Sequence, residues 1–310
     1  MQATTKGKPK ISQRVVKKYI FVASALAYPA LLFFVFFCGT SFGSILMSFQ
    51  KIDFAGNATW NGLENFKIFI KYFFGADDRV TVGVKNALIL YGMSLVTLPF
   101  SLLQAYLIFK KCWGHSLMRA LIMIPSIISS LLMGRIFMKV VDCVIPSIMI
   151  NQFGATKVPN LLQDPQYAFW TCWFYGFWSG GSGAIIIYPN AMAATDKEIY
   201  EAAELDGVCT MWQEMWYIIL PMMYPTLSTI LITGFAGAMM NSVSLTIFYK
   251  YSAPVEAYTL GYHYFVQVAN AKSQVAYPPL AAGGLLLTAV ITPLTLLLRW
   301  VLEKYDPMEG

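Results

Sequence analysis

The chain has 310 residues, of which 57% are hydrophobic and 12% are charged, and its formal net charge is +6 at pH 7. Because soluble domains carry about 25% charged residues, this composition excludes an ordinary soluble protein and predicts a chain that folds in lipid. The first basic residues are crowded together: Lys6, Lys8, Lys10, Arg14, Lys17 and Lys18. Such a tail before a hydrophobic run is a membrane topology signal rather than a nucleic-acid site, so residues 1–18 are predicted to be a basic cytoplasmic tail.

Six apolar segments are long enough to cross a bilayer as helices, for which about 20 residues are needed. They are Tyr19–Phe49, Ala87–Phe109, Leu117–Phe137, Ala168–Ala194, Ile218–Phe248 and Leu280–Leu302. The first exceeds the roughly 7–15 apolar residues of a signal peptide, so we expect a membrane helix there. Residues 19–310 are therefore predicted to be one all-α, polytopic transmembrane domain with about six membrane helices.

Lysine and arginine predict the orientation of these helices. The short link after the second segment holds Lys110, Lys111 and Arg119. Since basic residues accumulate on the cytoplasmic side, this link and the N-terminal tail belong in the cytoplasm. Six crossings then place the C-terminus in the cytoplasm, together with the link between the fourth and fifth segments.

That fourth link carries the stretch ATDKEIYEAAELDG, Ala194–Gly207. Thr195 with Glu198 three residues later has the spacing of a capping box. The pattern predicts a short helix from about Asp196 to Leu205, which Gly207 ends by adopting a positive φ. A second helix begins near Thr210 and runs toward Pro221.

This helix pair combines small residues with exposed Met and Trp in a link that is predicted to be cytosolic. Ala202 and Ala203 allow another surface to approach the backbone closely. Docking of a soluble partner is one interpretation, and an amphipathic connector resting on the membrane surface is the other. The residues alone leave both open.

The link resembles a known motif. Glu201-Ala202-Ala203, Gly207 and Leu220-Pro221 are similar to the EAA loop of binding-protein-dependent ABC importer permeases. TWNGLENFKIF, the run from Phe177 to Gly207, and the Asn241 region resemble the carbohydrate, maltose-type branch with its MetI-like core. The similarity extends from about Phe21 to Pro307. One departure is an extra residue between Gly207 and Leu220, which leaves the contacts of Trp212 and Trp216 open.

The resemblance implies that this loop, about 195–221, couples the permease to a separate ATPase. The implied coupling residues are Glu201, Ala202, Ala203, Asp206, Gly207, Leu220 and Pro221. The implied partners are a second homologous permease, two ATPase subunits that bind ATP and Mg, an extracytoplasmic solute-binding protein, a sugar or oligosaccharide, and membrane lipid.

Catalytic and metal motifs are not found in the sequence. It contains no G-x-x-x-x-G-K-[ST] phosphate loop, and His115 and His263 lack acidic or thiol neighbours at ligand spacing. We therefore expect a non-catalytic transport subunit with no cofactor or metal of its own, in the cytoplasmic membrane of a bacterium.

The last three membrane segments carry almost no charge, which favours a neutral, polyhydroxylated solute. Aromatic faces, amides and hydroxyls suit a sugar. The predicted solute path contains Asn241, Ser242, Thr233, Trp178 and Tyr175. The alternative role of Asn241 is an interhelical hydrogen bond, and the alternative position of Trp178 is on the lipid-facing surface.

Two other functions stay open at this point. The solute could be peptide-like or a modified glycan. The chain could instead be a polytopic scaffold or sensor that uses the link to bind a signalling protein.

Overall fold

The computed structural model describes residues 13–75, 78–180, 182–208 and 210–307. Fifteen α-helices dominate the described part of the chain. They are α1 Gln13–Leu32, α2 Gly39–Ser48, α3 Glu64–Phe74, α4 Asp78–Phe109, α5 His115–Ile127, α6 Ser130–Lys139, α7 Ile145–Phe153, α8 Pro165–Gly180, α9 Ser182–Ala193, α10 Lys197–Leu205, α11 Met211–Glu214, α12 Leu220–Met239, α13 Val243–Tyr249, α14 Leu260–Ala269 and α15 Tyr277–Lys304.

Three π-helical turns join neighbouring helices without a loop. Phe33–Cys38 joins α1 to α2, Val140–Val144 joins α6 to α7, and Met215–Ile219 joins α11 to α12. Strands β1 Gln50–Ile52 and β2 Ala58–Trp60 form an antiparallel ribbon in which Gln50 lies opposite Trp60. The prediction of an all-α polytopic protein is confirmed apart from this small ribbon.

Four helical segments are long and apolar enough to span a membrane. They are Phe21–Ser48, Asp78–Phe109, Met211–Tyr249 and Gln274–Lys304. A fifth span is possible if His115–Pro125 and Ser130–Phe153, which are bent by 95°, count as one. The described residues thus contain four or five candidate spans, where about six were predicted.

The two remaining predicted segments differ from single helices for local reasons. The third predicted segment breaks where Ile128 and Ser129 take extended backbone conformations, at ψ 139 and 133°. The fourth consists of α8 and α9, which end and begin on either side of Gly181, a residue outside the described part of the chain. Neither α8, with 16 residues, nor α9, with 12, reaches the length of a span alone.

The described residues divide into two compact units. One holds the residues up to Phe69 together with Ser273–Leu285. There the buried Asn65 side-chain amide donates to the carbonyl oxygens of Ser48 at 2.8 Å and Gln50 at 2.7 Å, which ties α3 to the ribbon. The apolar side chains of α1 and α2 are largely exposed, as expected of a helix that contacts lipid.

The other unit holds Ile70–Lys272 and the residues from Leu286 onwards. It contains two apolar cores. One, the inner core, joins α4, α9 and α12 through Leu102, Ala105, Tyr106, Tyr188, Met192, Met215, Ile219, Met223 and Leu227. The other, the second core, joins α6, α8, α13 and α14 through residues that include Phe137, Tyr175, Phe248 and Tyr262.

Candidate functional site

Helix α10 contains the EAA residues and begins one residue later than the capping-box prediction requires. Its N-cap is Asp196, in the extended region, and no side chain caps the helix there. Thr195 therefore lies outside the helix, and the predicted Thr195–Glu198 box is wrong. The capping box forms instead at the start of α11, where Thr210 and Gln213 exchange hydrogen bonds of 3.1 and 3.3 Å.

Gly207 ends α10 in the manner that the sequence predicts. Its φ is +93°, and the N–H of Gly207 donates to the carbonyl of Glu204 at 3.2 Å. The N–H of Val208 then donates to the carbonyl of Ala203 at 3.0 Å. These two bonds make a Schellman motif, so the glycine satisfies the last carbonyls of α10 while the chain turns away.

Most of α10 is open to solvent. Glu201, Ala202 and Asp206 are exposed, and Ala203 is half-buried. Glu201 lies 3.3 Å from Lys197 one turn earlier, but both side chains are more than half exposed. Exposed pairs of this kind contribute about 0–1 kcal/mol, so Glu201 can exchange Lys197 for a basic group on a partner.

Leu220 and Pro221 start α12 directly after the π-helical turn Met215–Ile219. Leu220 packs against the inner core. A π turn takes up one residue more than an α turn. This turn lies between Gly207 and Leu220, and Trp212 and Trp216 on either side of its start are 61% and 67% exposed.

A cavity of about 580 Å³ lies between α4, α8, α9, α12 and α13. Its described lining includes the hydroxyl residues Ser94, Thr97, Ser101, Thr233, Ser244 and Thr259, and the amide of Asn241. No charged side chain belongs to this described lining. The cavity can therefore offer hydrogen bonds to a solute without offering it an ion pair.

One face of α8 forms an aromatic wall of this cavity. Phe169, Trp173 and Phe177 follow each other at four-residue intervals, so they lie along one face of the helix. The rings of Trp173 and Phe177 are stacked, with centroids 5.7 Å apart. The cavity lining thus combines aromatic side chains of α8 with hydroxyl residues of α4 and α12.

The structure places two of the five predicted solute-path residues in the cavity lining. Asn241 and Thr233 line it. The backbone carbonyl of Asn241 accepts a hydrogen bond from the Thr259 hydroxyl. The Thr233 hydroxyl donates to the carbonyl of Thr229 at 2.8 Å, so toward a solute its oxygen is left to act as an acceptor.

The other three lie outside the described lining. Tyr175 is buried in the second core, where its ring packs 4.9 Å from that of Phe248. Trp178 packs against Phe137 with ring centroids 6.3 Å apart. Ser242 occupies the N-cap position of α13, where its side chain makes no capping hydrogen bond. Trp173 and Phe177 of α8 line the cavity instead of Tyr175 and Trp178. The sequence does not mark them, because Trp170, Phe174 and Trp178 repeat at the same four-residue spacing on the adjacent face.

Residues 81–307 match the family described as binding-protein-dependent transport system inner membrane component. Among curated relatives, the polygalacturonan/rhamnogalacturonan transport system permease protein YteP of Bacillus subtilis is 28% identical, over 73% of this chain and 70% of that protein. The multiple sugar-binding transport system permease protein MsmF of Streptococcus mutans is 24% identical, over 73% of this chain and 77% of the relative. The arabinooligosaccharides transport system permease protein AraP of Halalkalibacterium halodurans is 26% identical, over 72% of this chain and 67% of that protein.

A solved structure shows the same fold. A chain of a bacterial ABC transporter involved in the import of the acidic polysaccharide alginate superposes with a TM-score of 0.72 at 18% identity, covering 94% of this chain and 98% of that one. The family match spans well over half of the 310 residues. The chain therefore belongs to the inner membrane components of binding-protein-dependent transport systems.

Proposed function

We propose that this chain is a membrane-spanning, non-catalytic subunit of an ABC importer that carries an oligosaccharide across the cytoplasmic membrane. The observation that carries the choice of solute is the cavity, whose lining combines aromatic side chains of α8 with hydroxyl residues of α4 and α12. Aromatic rings pack on the C–H faces of sugars, while hydroxyls and amides bind their hydroxyl groups. The relatives YteP, MsmF and AraP, each named for sugar or glycan transport, support the same class.

A neutral oligosaccharide fits the described lining better than an acidic one. A uronate carboxylate that enters a site in lipid without a basic partner loses hydration that nothing replaces. An acidic oligosaccharide is the second candidate, because YteP is named for polygalacturonan and rhamnogalacturonan. The lack of a charged residue among the described lining residues favours the neutral solute. A peptide-like solute is weakened by the same lack, since peptides carry charged termini.

The ATPase-coupling role of α10 is part of this proposal. An exposed helix with two alanines and a positive-φ glycine offers a compact surface on which a soluble subunit can dock. Glu201 would pair with a basic group of that subunit, Ala202 and Ala203 would let it approach, and Gly207 would hold the turn. ATP and Mg would be bound by two such ATPase subunits, and not by this chain.

The remaining parts of the assembly follow from the same reasoning. A second homologous permease would complete the pathway, and an extracytoplasmic binding protein would deliver the solute. Six crossings with both termini in the cytoplasm, the basic tail 1–18 included, would put α10 on the side of the ATPase. That topology counts α8 with α9, and α5 with α6 and α7, as one crossing each.

Uptake by a strain of the native host that lacks this chain tests the solute. We expect loss of uptake of labelled neutral oligosaccharides, such as arabino-oligosaccharides or malto-oligosaccharides, while labelled oligogalacturonides enter normally. Loss of oligogalacturonide uptake alone would support the second candidate. Unchanged uptake of all three classes would overturn the assignment of a sugar solute.

A further inference from the structure

Glu214, the last residue of α11, has a largely buried carboxylate: Oε2 accepts a hydrogen bond, and Oε1 lies in an ion pair that does not have hydrogen-bond geometry. The hydroxyl of Tyr106 donates to its Oε2 at 2.7 Å. The ammonium of Lys110 lies 2.7 Å from its Oε1, and the Glu214 side chain is only 15% exposed. The pair thus joins the end of α4 to the start of the α11–α12 helix, across 104 residues of sequence.

Other ion pairs of the described chain differ in kind. Lys67–Glu64, Lys197–Glu201 and Arg299–Glu303 each join residues three or four apart on one helix, and all of these side chains are more than half exposed. Pairs of that type stabilise little. A pair that is largely buried is different, because removal of one partner leaves the other as an uncompensated charge.

The Lys110 ammonium is also enclosed by aromatic rings. It lies 5.4 Å from the ring centroid of Tyr200, 5.8 Å from that of Tyr106 and 6.0 Å from that of Phe109. These distances are within the range of cation–π attraction. The rings of Phe109 and Tyr200 are themselves 5.9 Å apart, so α10 meets the end of α4 at this point.

Tyr200 is the residue through which α10 is attached to the bundle. Of the nine residues of α10, Tyr200 and Ala203 are half-buried and the other seven are exposed. The Tyr200 hydroxyl donates to the carbonyl of Met192 at 3.2 Å, and its ring packs against the inner core. Burial raises the pKa of Tyr200 above the ordinary tyrosine value, which keeps the hydroxyl a donor. A displacement of α10 therefore reaches the bundle at Tyr200, next to Lys110.

We propose that Glu214 is a positioning residue for coupling: together with Tyr106, Lys110 and Tyr200 it forms a clamp that makes α10, α4 and α12 move as one body. This inference rests on the proposed docking of the ATPase on α10. The cation–π contacts link Tyr200 to Lys110, and the carboxylate links Lys110 to the helix that continues into α12. Because α4 and α12 both line the cavity, the clamp carries a movement of α10 to the solute path.

Hydrogen–deuterium exchange of the intact complex, captured from the native host by a tag on this chain, tests the clamp. Exchange is measured without nucleotide and after trapping with ATP, Mg²⁺ and orthovanadate. In the wild type we expect nucleotide-dependent changes in α10 and also in α4 and α12. In Glu214→Ala and Lys110→Met we expect the change in α10 to persist and the change in α4 and α12 to be lost.

Two further variants separate coupling from stability. Glu214→Gln keeps the size of the side chain and can still accept from Tyr106, so it should fold and lose part of the response in α4 and α12. Glu303→Gln removes an exposed, single-helix ion pair and should respond as the wild type does. A full nucleotide response in α4 and α12 in both Glu214→Gln and Lys110→Met would overturn the clamp. Absence of ATPase protection on α10 in the wild type would instead overturn the docking proposal.

Discussion

The side-chain amide of Asn86 donates a hydrogen bond to the carbonyl oxygen of Tyr258 at 2.8 Å, where both residues are buried. The same amide donates to the carbonyl of Glu256 at 2.7 Å. Asn86 thereby fastens the turn Val255–Ala257 to α4, 170 residues earlier in the chain. We expect Asn86→Leu to lower the free energy of unfolding by about 2–4 kcal/mol, because two carbonyls lose their donor.

Thermal unfolding of the detergent-solubilised chain, followed by size-exclusion chromatography after heating, measures this loss as a lower midpoint. Ser228→Ala is the control, since the Ser228 hydroxyl bonds the carbonyl of Pro225 within its own helix. Equal midpoints for Asn86→Leu and Ser228→Ala would show that the Asn86 bonds do not hold the turn.

The aromatic wall predicts which tryptophan contacts the solute. Trp173→Ala should reduce oligosaccharide uptake by roughly tenfold, the equivalent of about 1.4 kcal/mol of lost stacking, with assembly of the complex intact. Trp178→Ala is matched in chemistry and sits on the same helix, but it lies outside the described cavity lining and should leave uptake near the wild-type level. A larger loss in Trp178→Ala than in Trp173→Ala would put the solute on the other face of α8.

Alanine variants of Gly207 and Gly154 distinguish the effect of backbone strain from an effect on docking of the ATPase. Both end a helix with a positive φ, +93° for Gly207 and +64° for Gly154. An alanine at either position is strained by roughly 1–2 kcal/mol. We expect Gly207→Ala to weaken co-purification of the ATPase with the tagged chain, and Gly207→Pro to abolish it while the chain still inserts in the membrane.

Gly154→Ala introduces comparable strain at the end of α7, away from α10 in sequence. It should leave the amount of co-purified ATPase unchanged. If the two alanine variants retain the same amount of ATPase, the turn at Gly207 does not shape the docking surface.

Gly261 permits a close approach of two backbones. A Cβ added there would collide with the carbonyl group of Met240, and backbone atoms cannot rotate away as a side chain does. Gly261→Ala should therefore lower the free energy of unfolding by about 1–3 kcal/mol. Gly237→Ala, in α12 with open space around its Cα, should be neutral or stabilise by up to about 1 kcal/mol, because alanine favours the helix. Similar midpoints of thermal unfolding for the two variants would contradict the close packing at Met240.

The features that the sequence predicts correctly are those set by residues close together in the chain. The helix over the EAA residues and the turn at Gly207 follow from residues within one or two turns of each other, and both are found. The sequence misplaces the cap of α10 by one residue: the three-residue spacing to Glu198 favours Thr195, but Asp196 is an equally acceptable N-cap residue and holds that position. The break after Pro125 lies inside a predicted span. It was not predicted because hydropathy shows how long an apolar segment is, but not whether the chain bends within it.

Contacts between distant segments could not be predicted in the same way. Tyr175 and Trp173 are both aromatic residues of α8, and which of them faces the cavity depends on packing against Phe137 and Phe248 from other helices. Lys110 and Glu214 meet although 104 residues separate them, and nothing around either residue indicates a partner. No local cue separates the two faces of α8, because Phe169, Trp173 and Phe177 repeat at the same four-residue spacing as Trp170, Phe174 and Trp178.

The shortness of α10 has a consequence for the temperature behaviour of the subunit. A nine-residue helix is too short to persist in water alone, where about 12–15 residues are marginal. Its order depends on the packing of Tyr200 against the inner core and, under the proposed docking, on contact with the ATPase. On mild heating the free subunit should thus lose the helical order of α10 while its membrane bundle is still intact. If the proposed docking is right, α10 of the assembled subunit should stay ordered to a higher temperature.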